Sequence, residues 1–477
     1  LKGKYQLTAP FMELLFKLAK PGEGDLPAGW VGQITSNAFM KREFGTPVIE
    51  DLLAHLDLRF VVDSSGAHIP GHGTPTVIIV GRNSSSRRGP TRAVLRVRGE
   101  PGIPPNPRTG LVWTSITSQI YRPGSADEWV NVVDLDPSTL SRHPWSLSGG
   151  GASDVLATVD GNRAKRLSEV SYRIGVFGIT AADEAMLMKP DLVRRAQLEE
   201  AAARAMVAGE GVRDHRITGT SISWFPYDER HLLKELSDYP AWGRFLWRNR
   251  TELANRSTFS KRTYLDEGRP FYEWHQLPRD KGAHSWVLAW GEVATHNHFV
   301  LDRGEMIFSR TAPIIKLREE ASPSEHLQIL GILNSSTACF WLKQNCFNKG
   351  NGGIGGGIGD ESWEPRYQFN GTTLQDYPLP AMLPLERARI LDCLAQEMWA
   401  QQVSNLIASA TPRADLLREG DAAQTALRGR MVAQQEELDW EVYRSYELMD
   451  EALVYDDQPP EVRLGERAFE IVLARRM

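Results

Sequence analysis

Five consecutive residues, Thr76-Val77-Ile78-Ile79-Val80, are branched at Cβ. Such side chains are stiff at χ1 and crowd a helix, so the run predicts a strand; four of its five residues are apolar, so the strand is buried on both faces. A sheet must surround it. The nine residues before it, AHIPGHGTP from Ala67 to Pro75, set a proline-glycine-histidine turn and two histidines, His68 and His72, at the mouth of the strand.

The segments upstream supply what such a strand needs. Phe11 to Lys20 spaces its apolar residues for an amphipathic helix that Pro21 and Gly22 stop. Trp30 to Ile34 reads as a buried strand, and Ser36 or Asn37 can cap a following helix. Val48 to Leu56 carries Ile49, Leu52, Leu53 and Leu56 on one helical face, and Phe60 to Asp63 is a further strand. This order predicts an α/β fold, the C-terminal half of a doubly wound sheet without its opening half. The region from Gly99 to Gly151 is rich in Pro, Gly and Ser and reads as an irregular connection, with one or two strands around Trp113 to Tyr121. Beyond it a mixed α+β region is expected, with helices at Leu192 to Met206 and His326 to Asn345, then two amphipathic stretches, Leu385 to Ala408 and Ala422 to Tyr446. The resulting boundaries are 1–98 for the sheet, 99–155 for the connector, 156–380 for the α+β domain and 381–477 for the helical end.

A chain of 477 residues is too long for one core. Its apolar runs fall well short of the roughly 18 residues a membrane span needs, so no membrane partner is expected. Three cysteines without a CxxC pair make neither a disulfide framework nor a zinc site, which points to a reducing cytoplasm and no metal. The net charge of −5 gives no global attraction to nucleic acid, so any such binding must come from patches. Between Gly81 and Arg98 six arginines, Arg82, Arg87, Arg88, Arg92, Arg96 and Arg98, stand without an acid; the run reads either as a solvated loop and strand edge or as a phosphate-binding patch. The glycine-rich loop from Lys349 matches GxGxxG at Gly350, Gly352 and Gly355 but lacks the helix a dinucleotide site needs. With Lys349, Asn351 and Arg366 around it, the loop suits a polyanion backbone, or is a linker. His296 and His298 lack a clear third metal ligand, and no hydrolase motif is present.

Taken together, KGKYQLTAPFMELLFKLAKPG, GWVGQITSNAFMKREFG and AHIPGHGTPTVIIVG resemble the part of N6-adenine DNA methyltransferases that follows their Asn-Pro-Pro-Tyr motif. HPWSLSGGG, GVRDHRI, WFPYD, LGILNSSTACFWLKQ, QDYPLP and QEELDWEVY extend the likeness to the target-recognition half of large single-chain enzymes, the PglX type of BREX phage-defence systems. The resemblance implies S-adenosylmethionine as cofactor, bound mainly by polypeptide before Leu1, with Phe11 against its adenine. It implies double-stranded DNA as partner, alongside other phage-defence proteins, and an adenine swung out against His68, Ile69, Pro70, Gly71 and His72.

Lys41, Arg42, Arg87, Arg88 and Lys349 are then expected on phosphates, and Asn351, Arg366 and Gln368 on base edges. The Asn-Pro-Pro-Tyr motif itself is absent, so no catalytic residue is assigned. The sequence begins at Leu1 and carries no signal-peptide pattern. It is expected to be the C-terminal portion of a methyltransferase that does not methylate alone; the alternative is a non-enzymatic DNA-specificity or protein-interaction subunit.

Overall fold

The computed structural model describes the chain except for residues 1–4, 23–26, 72, 86–88, 214, 279–285, 350–365, 456, 464, 468–470 and 472–477. It divides into two compact units, Leu1–Gly161 with Phe340–Gln368, and Asn162–Cys339 with Phe369–Met477. The fold is mixed α/β with several sheets.

The first unit is built on five strands, β1 (Trp30–Ser36), β2 (Asp57–Asp63), β3 (Thr76–Arg82), β4 (Thr91–Arg96) and β5 (Val130–Leu135), in the order β1-β3-β2-β4-β5. The β-branched run lies in β3, antiparallel to both neighbours: Ile34 faces Ile78 on β1, and Val62 faces Ile78 on β2. β2 and β4 are parallel, and β4 and β5 antiparallel. Alternation along the strands divides the core in two. Val31, Val61, Val77, Ile79, Ala93 and Leu95 pack with Met12 and Phe16 of α1 (Thr8–Leu18) and with Phe39, Ile49 and Leu53. Val62, Val94, Val130 and Val132 pack on the other face with Val112 and Ile116 of α2 (Leu111–Gln119). Helical segments therefore cover both faces of the sheet.

Three expectations are corrected here. Trp113 to Tyr121 is not a strand but most of α2, because Val112 and Ile116, four apart, must reach the sheet together. Val48 to Leu56 is helical only as a π turn, Val48–Leu52, followed by a 3-10 turn, Leu53–His55. Leu192 to Met206 stops being helix at Arg195; Gln197 enters the left-handed region (φ 49°), and Ala203–Val207 joins a sheet by pairing with Ser221–Trp224. The alanine-rich helix propensity is overridden there by burial of Met206 and Val207.

The second unit contains two four-stranded sheets, one around Ala203–Val207 and Ser221–Trp224, the other around Val287–Trp290 and Ile314–Leu317. Trp224, Trp242 and Trp274 fill one of its cores. The expected helix His326 to Asn345 is two helices, Pro323–Leu333 and Ser336–Asn345. The break falls at Asn334, whose side-chain amide accepts from the Phe299 amide and donates to the Phe299 carbonyl, both at 2.9 Å. A helix of 32 residues, Ala414–Ser445, packs on Leu385–Ala400. No helix among the described residues is long and apolar enough to cross a membrane.

Candidate functional site at the carboxyl edge of the first sheet

β1, β2 and β4 all end at one edge, because β1 and β2 are each antiparallel to β3, and β4 is parallel to β2. Carboxyl ends of strands in open α/β sheets are where ligands bind. A cavity of about 280 Å³ lies there, close to the lower end of the ~300–1,000 Å³ usual for small-molecule sites. Asn37, Met40 and Lys41 line it after β1, Asp63 and Ser65 at the end of β2, Pro75 before β3, and Arg96 at the end of β4. Gln344, Phe347, Asn348 and Tyr367 close it from the foot of the glycine-rich loop.

Local sequence sets each group. The Ser36 hydroxyl accepts from the Ala38 amide at 3.2 Å and starts a 3-10 turn, Asn37–Met40, that buries Ala38, Phe39 and Met40 and delivers Lys41 to the cavity. Gly45 lets the next turn fold back, since a Cβ there would stand 1.6 Å from the Phe39 carbonyl oxygen. Asp63 is buried and accepts from the Ser65 amide at 2.9 Å; Arg96 donates to the Ser65 hydroxyl at 3.4 Å. Lys41 Nζ donates to the Lys343 carbonyl at 3.1 Å. Burial lowers the Lys41 ammonium from 10.5 to about 8, against the opposing pull of Cys346 and Asp63, while Arg96 adds to the lowering. Three cations, Lys41, Arg96 and Lys343, thus meet one carboxylate, Asp63, and the cavity favours an anionic or hydrogen-bonding ligand.

The expected residues are distributed as follows. His68 and Ile69 are half-buried and Pro70 and Gly71 exposed at the tip of the turn whose ends, Ser65 and Pro75, line the cavity. Gly71 adopts φ +70°, a conformation glycine takes without cost. His72, Arg87, Arg88 and Asn351 lie outside the described residues. Arg42 is exposed, its guanidinium 5.1 Å from the Phe347 ring centre. The Lys349 amide donates to the Arg366 carbonyl at 2.8 Å, closing the pairing of Phe347–Asn348 with Tyr367–Gln368. The fold therefore brings Lys41 to one cavity with the neighbours of Lys349, Arg366 and Gln368. Within the basic run, Arg92 pairs with Asp134, Arg98 with Glu128 at 2.7 Å, and Arg82 covers Trp30 at 4.1 Å, so these three serve the sheet. Asp63 and Lys343 carry no expectation from the sequence, and Arg96 stands there only as one of the six arginines of the basic run; the position of Asp63 and Arg96 at strand ends is the signal that marks them.

A second feature lies at the other side of the sheet. β1 is an edge strand among the described residues, and its outward side chains Trp30 and Ile34 are 52% and 57% exposed. α1 exposes Phe11, Leu14, Leu15 and Leu18 beside it. Phe11 thus offers an open aromatic face. Gln33 Nε2 and Thr35 Oγ1 on β1, and Gln6 Oε1 before α1, are buried without a hydrogen-bond partner. No group of three or more metal-ligating side chains occurs among the described residues.

Residues 431–477 match a family model described as a domain of unknown function, DUF7008. The chain is 47% identical over 492 aligned residues to the adenine-specific methyltransferase PglX of Streptomyces coelicolor, an alignment covering all of this chain and 40% of that protein. It spans about two fifths of the length of the curated relative it matches. Among solved structures, the type IIL restriction-modification enzyme MmeI in complex with DNA aligns at TM-score 0.49 and 10% identity, over 94% of this chain and 49% of that one. The type IIG restriction endonuclease BpuSI aligns at TM-score 0.36 and 12% identity, over 94% and 50%. The PglX-type resemblance read from the motifs thus holds along the whole sequence, and the chain corresponds to the C-terminal part of such a protein.

Proposed function

We propose that this chain is the part of a site-specific DNA methyltransferase that completes the catalytic sheet and reads the target, in an enzyme moving a methyl group from S-adenosylmethionine to adenine N6. The observation that carries the proposal is β3 inserted antiparallel between β1 and β2, with a cationic cavity where β1, β2 and β4 end. On this reading the five strands close a doubly wound sheet. The apolar edge of β1 and α1 receives its opening half, since a sheet edge this apolar is otherwise a liability in water. S-adenosylmethionine, when bound, supplies the electrophilic methyl group. Phe11 provides a ring for its adenine, with the remaining contacts made by polypeptide outside this chain.

The target base leaves the duplex to reach the reaction centre. The turn from Ser65 to Pro75 forms part of the wall behind it, and Lys41 and Arg96 hold the neighbouring phosphate. The glycine-rich loop, with Lys349, Asn351, Arg366 and Gln368 at or near its ends, reads the duplex; bidentate amide and guanidinium groups distinguish purines. Cellular location follows the DNA partner, in the cytoplasm, where the other phage-defence proteins of such a system would meet it.

The test pairs this chain with the remaining part of a PglX-type enzyme, the part bearing the Asn-Pro-Pro-Tyr motif. Labelled methyl transfer to adenine is expected from the mixture and from neither component alone, and Ile34→Lys on the β1 edge is expected to abolish it. Duplex binding by the mixture without any methyl transfer would replace this reading with that of a specificity subunit.

A further inference from the structure

The second unit carries an aromatic side chain that its core does not use. Phe259 is 74% exposed, at the tip of a hairpin, while the rings around the hairpin base are buried. A lone exposed apolar residue is ordinary; one fixed in place is not. Ser257 bridges Thr263, the Thr258 amide donates to the Arg262 carbonyl at 2.8 Å, and the Lys261 amide donates to the Thr258 carbonyl at 3.0 Å. Lys261 takes φ +64°, the left-handed turn that closes the tip. Thr258 donates to Glu267 at 2.7 Å, Ser260 donates to the same carboxylate, and Arg262 donates to the Asp266 carbonyl at 2.7 Å. Beneath them the buried Arg256 guanidinium donates to the carbonyls of Thr180, Phe271 and Glu273 and lies 4.3 Å from the Tyr264 ring centre.

Phe259 packs against His275 at a tilt, ring centres 4.6 Å and planes 52° apart. Burial, Arg269 and Arg256 hold that imidazole below its ordinary value. Most of the Phe259 ring is open to solvent. Lys261 and Arg262 follow it after Ser260 and are exposed. From Trp247 to Arg269 six Lys and Arg oppose three Asp and Glu, in a chain whose net charge is −5. A preorganised ring flanked by cations complements a flat base flanked by phosphates.

We propose that the hairpin tip Thr258–Arg262 is a DNA contact in which Phe259 packs against an unstacked base and Lys261 and Arg262 hold the adjoining phosphates. The inference rests on the DNA-binding reading above, but on different residues. It is tested with the whole chain and a duplex carrying 2-aminopurine, followed by anisotropy and by 2-aminopurine fluorescence at successive positions. Phe259→Ala is expected to weaken binding about tenfold and to remove a fluorescence change that the native chain produces. Phe259→Trp is expected to retain binding and to have its indole emission quenched by DNA. Lys261→Ala with Arg262→Ala should shrink the salt slope by about two. Native binding that Phe259→Ala leaves unchanged in affinity and fluorescence overturns the tip contact and spares the methyltransferase reading. A tip that behaves as expected in a chain whose reconstituted enzyme transfers no methyl group spares the contact alone. Absence of any duplex binding by the native chain overturns both.

Discussion

Lys41 places a charge where folding alone would not want one. Its ammonium is lowered to about 8 by burial, so the folded state holds this proton less tightly than the unfolded chain does. Below about pH 8 the amine is charged in both states and the folded state bears the full desolvation cost. Between about 8 and 10.5 the unfolded chain binds more protons, so stability rises with pH through that window. Denaturant unfolding at pH 7 and pH 10 should therefore show the native chain gaining on Lys41→Met by about 2–3 kcal/mol. A difference that is flat with pH, or that runs the other way, would refute the assignment. Binding runs opposite to stability: affinity for duplex should fall as pH rises through 8 in the native chain and not in Lys41→Arg, whose guanidinium stays charged. Gly45 is the second residue on which the cavity depends. Because a Cβ there would overlap the Phe39 carbonyl, Gly45→Ala should displace the turn that carries Lys41, lowering the thermal midpoint and duplex affinity together.

Among the elements, β3 shows what sequence can reveal. Its five β-branched residues specify a strand and its burial without reference to anything else; Trp30 to Ile34 is a strand as expected, but not a buried one, since Trp30 and Ile34 are exposed on the edge of the sheet. What was not legible was fixed by partners. Leu192–Met206 has the composition of a helix, yet Ala203–Val207 lies beside Ser221–Trp224 because Met206 and Val207 are buried there. Trp113 to Tyr121 looked extended because its aromatic and β-branched residues favour strands, but Val112 and Ile116 repeat at a helical interval. The candidate site was legible at Lys41 and at the foot of the glycine-rich loop; Asp63 and Arg96 become site residues only once the register brings both strand ends to one edge. Two neighbouring isoleucine positions separate burial from propensity. Ile79→Ala on β3, where the side chain is 0% exposed, should cost about 2–5 kcal/mol in unfolding experiments. Ile34→Ala on the partner strand, 57% exposed, should cost well under ~1 kcal/mol in this chain. Equal losses would mean that the β1 edge is already covered.

For the molecule as a whole, the charge budget decides how DNA can be held. With a net charge of −5 the chain gains nothing from its average field, so duplex affinity must come from the few cations placed against phosphate. Lys41, Arg96 and Lys343 line the cavity, and Lys261 and Arg262 flank the exposed ring of the second unit. If each neutralises one phosphate, the logarithm of the binding constant should fall with the logarithm of salt at a slope of about −4 to −5, a loss on the order of 10²–10³-fold between 50 and 200 mM. The same titration apportions the slope. Lys41→Met should remove about one unit, and the Lys261→Ala, Arg262→Ala pair about two, with the combined variant removing the sum, because independent sites add. A native slope near zero would mean that DNA is held without phosphate contacts, which the flat ring and the small cavity have too little area to achieve. A native slope near −4 that none of these substitutions alters would mean that the contacts lie on other cations, and both assigned surfaces would lose their claim to the duplex.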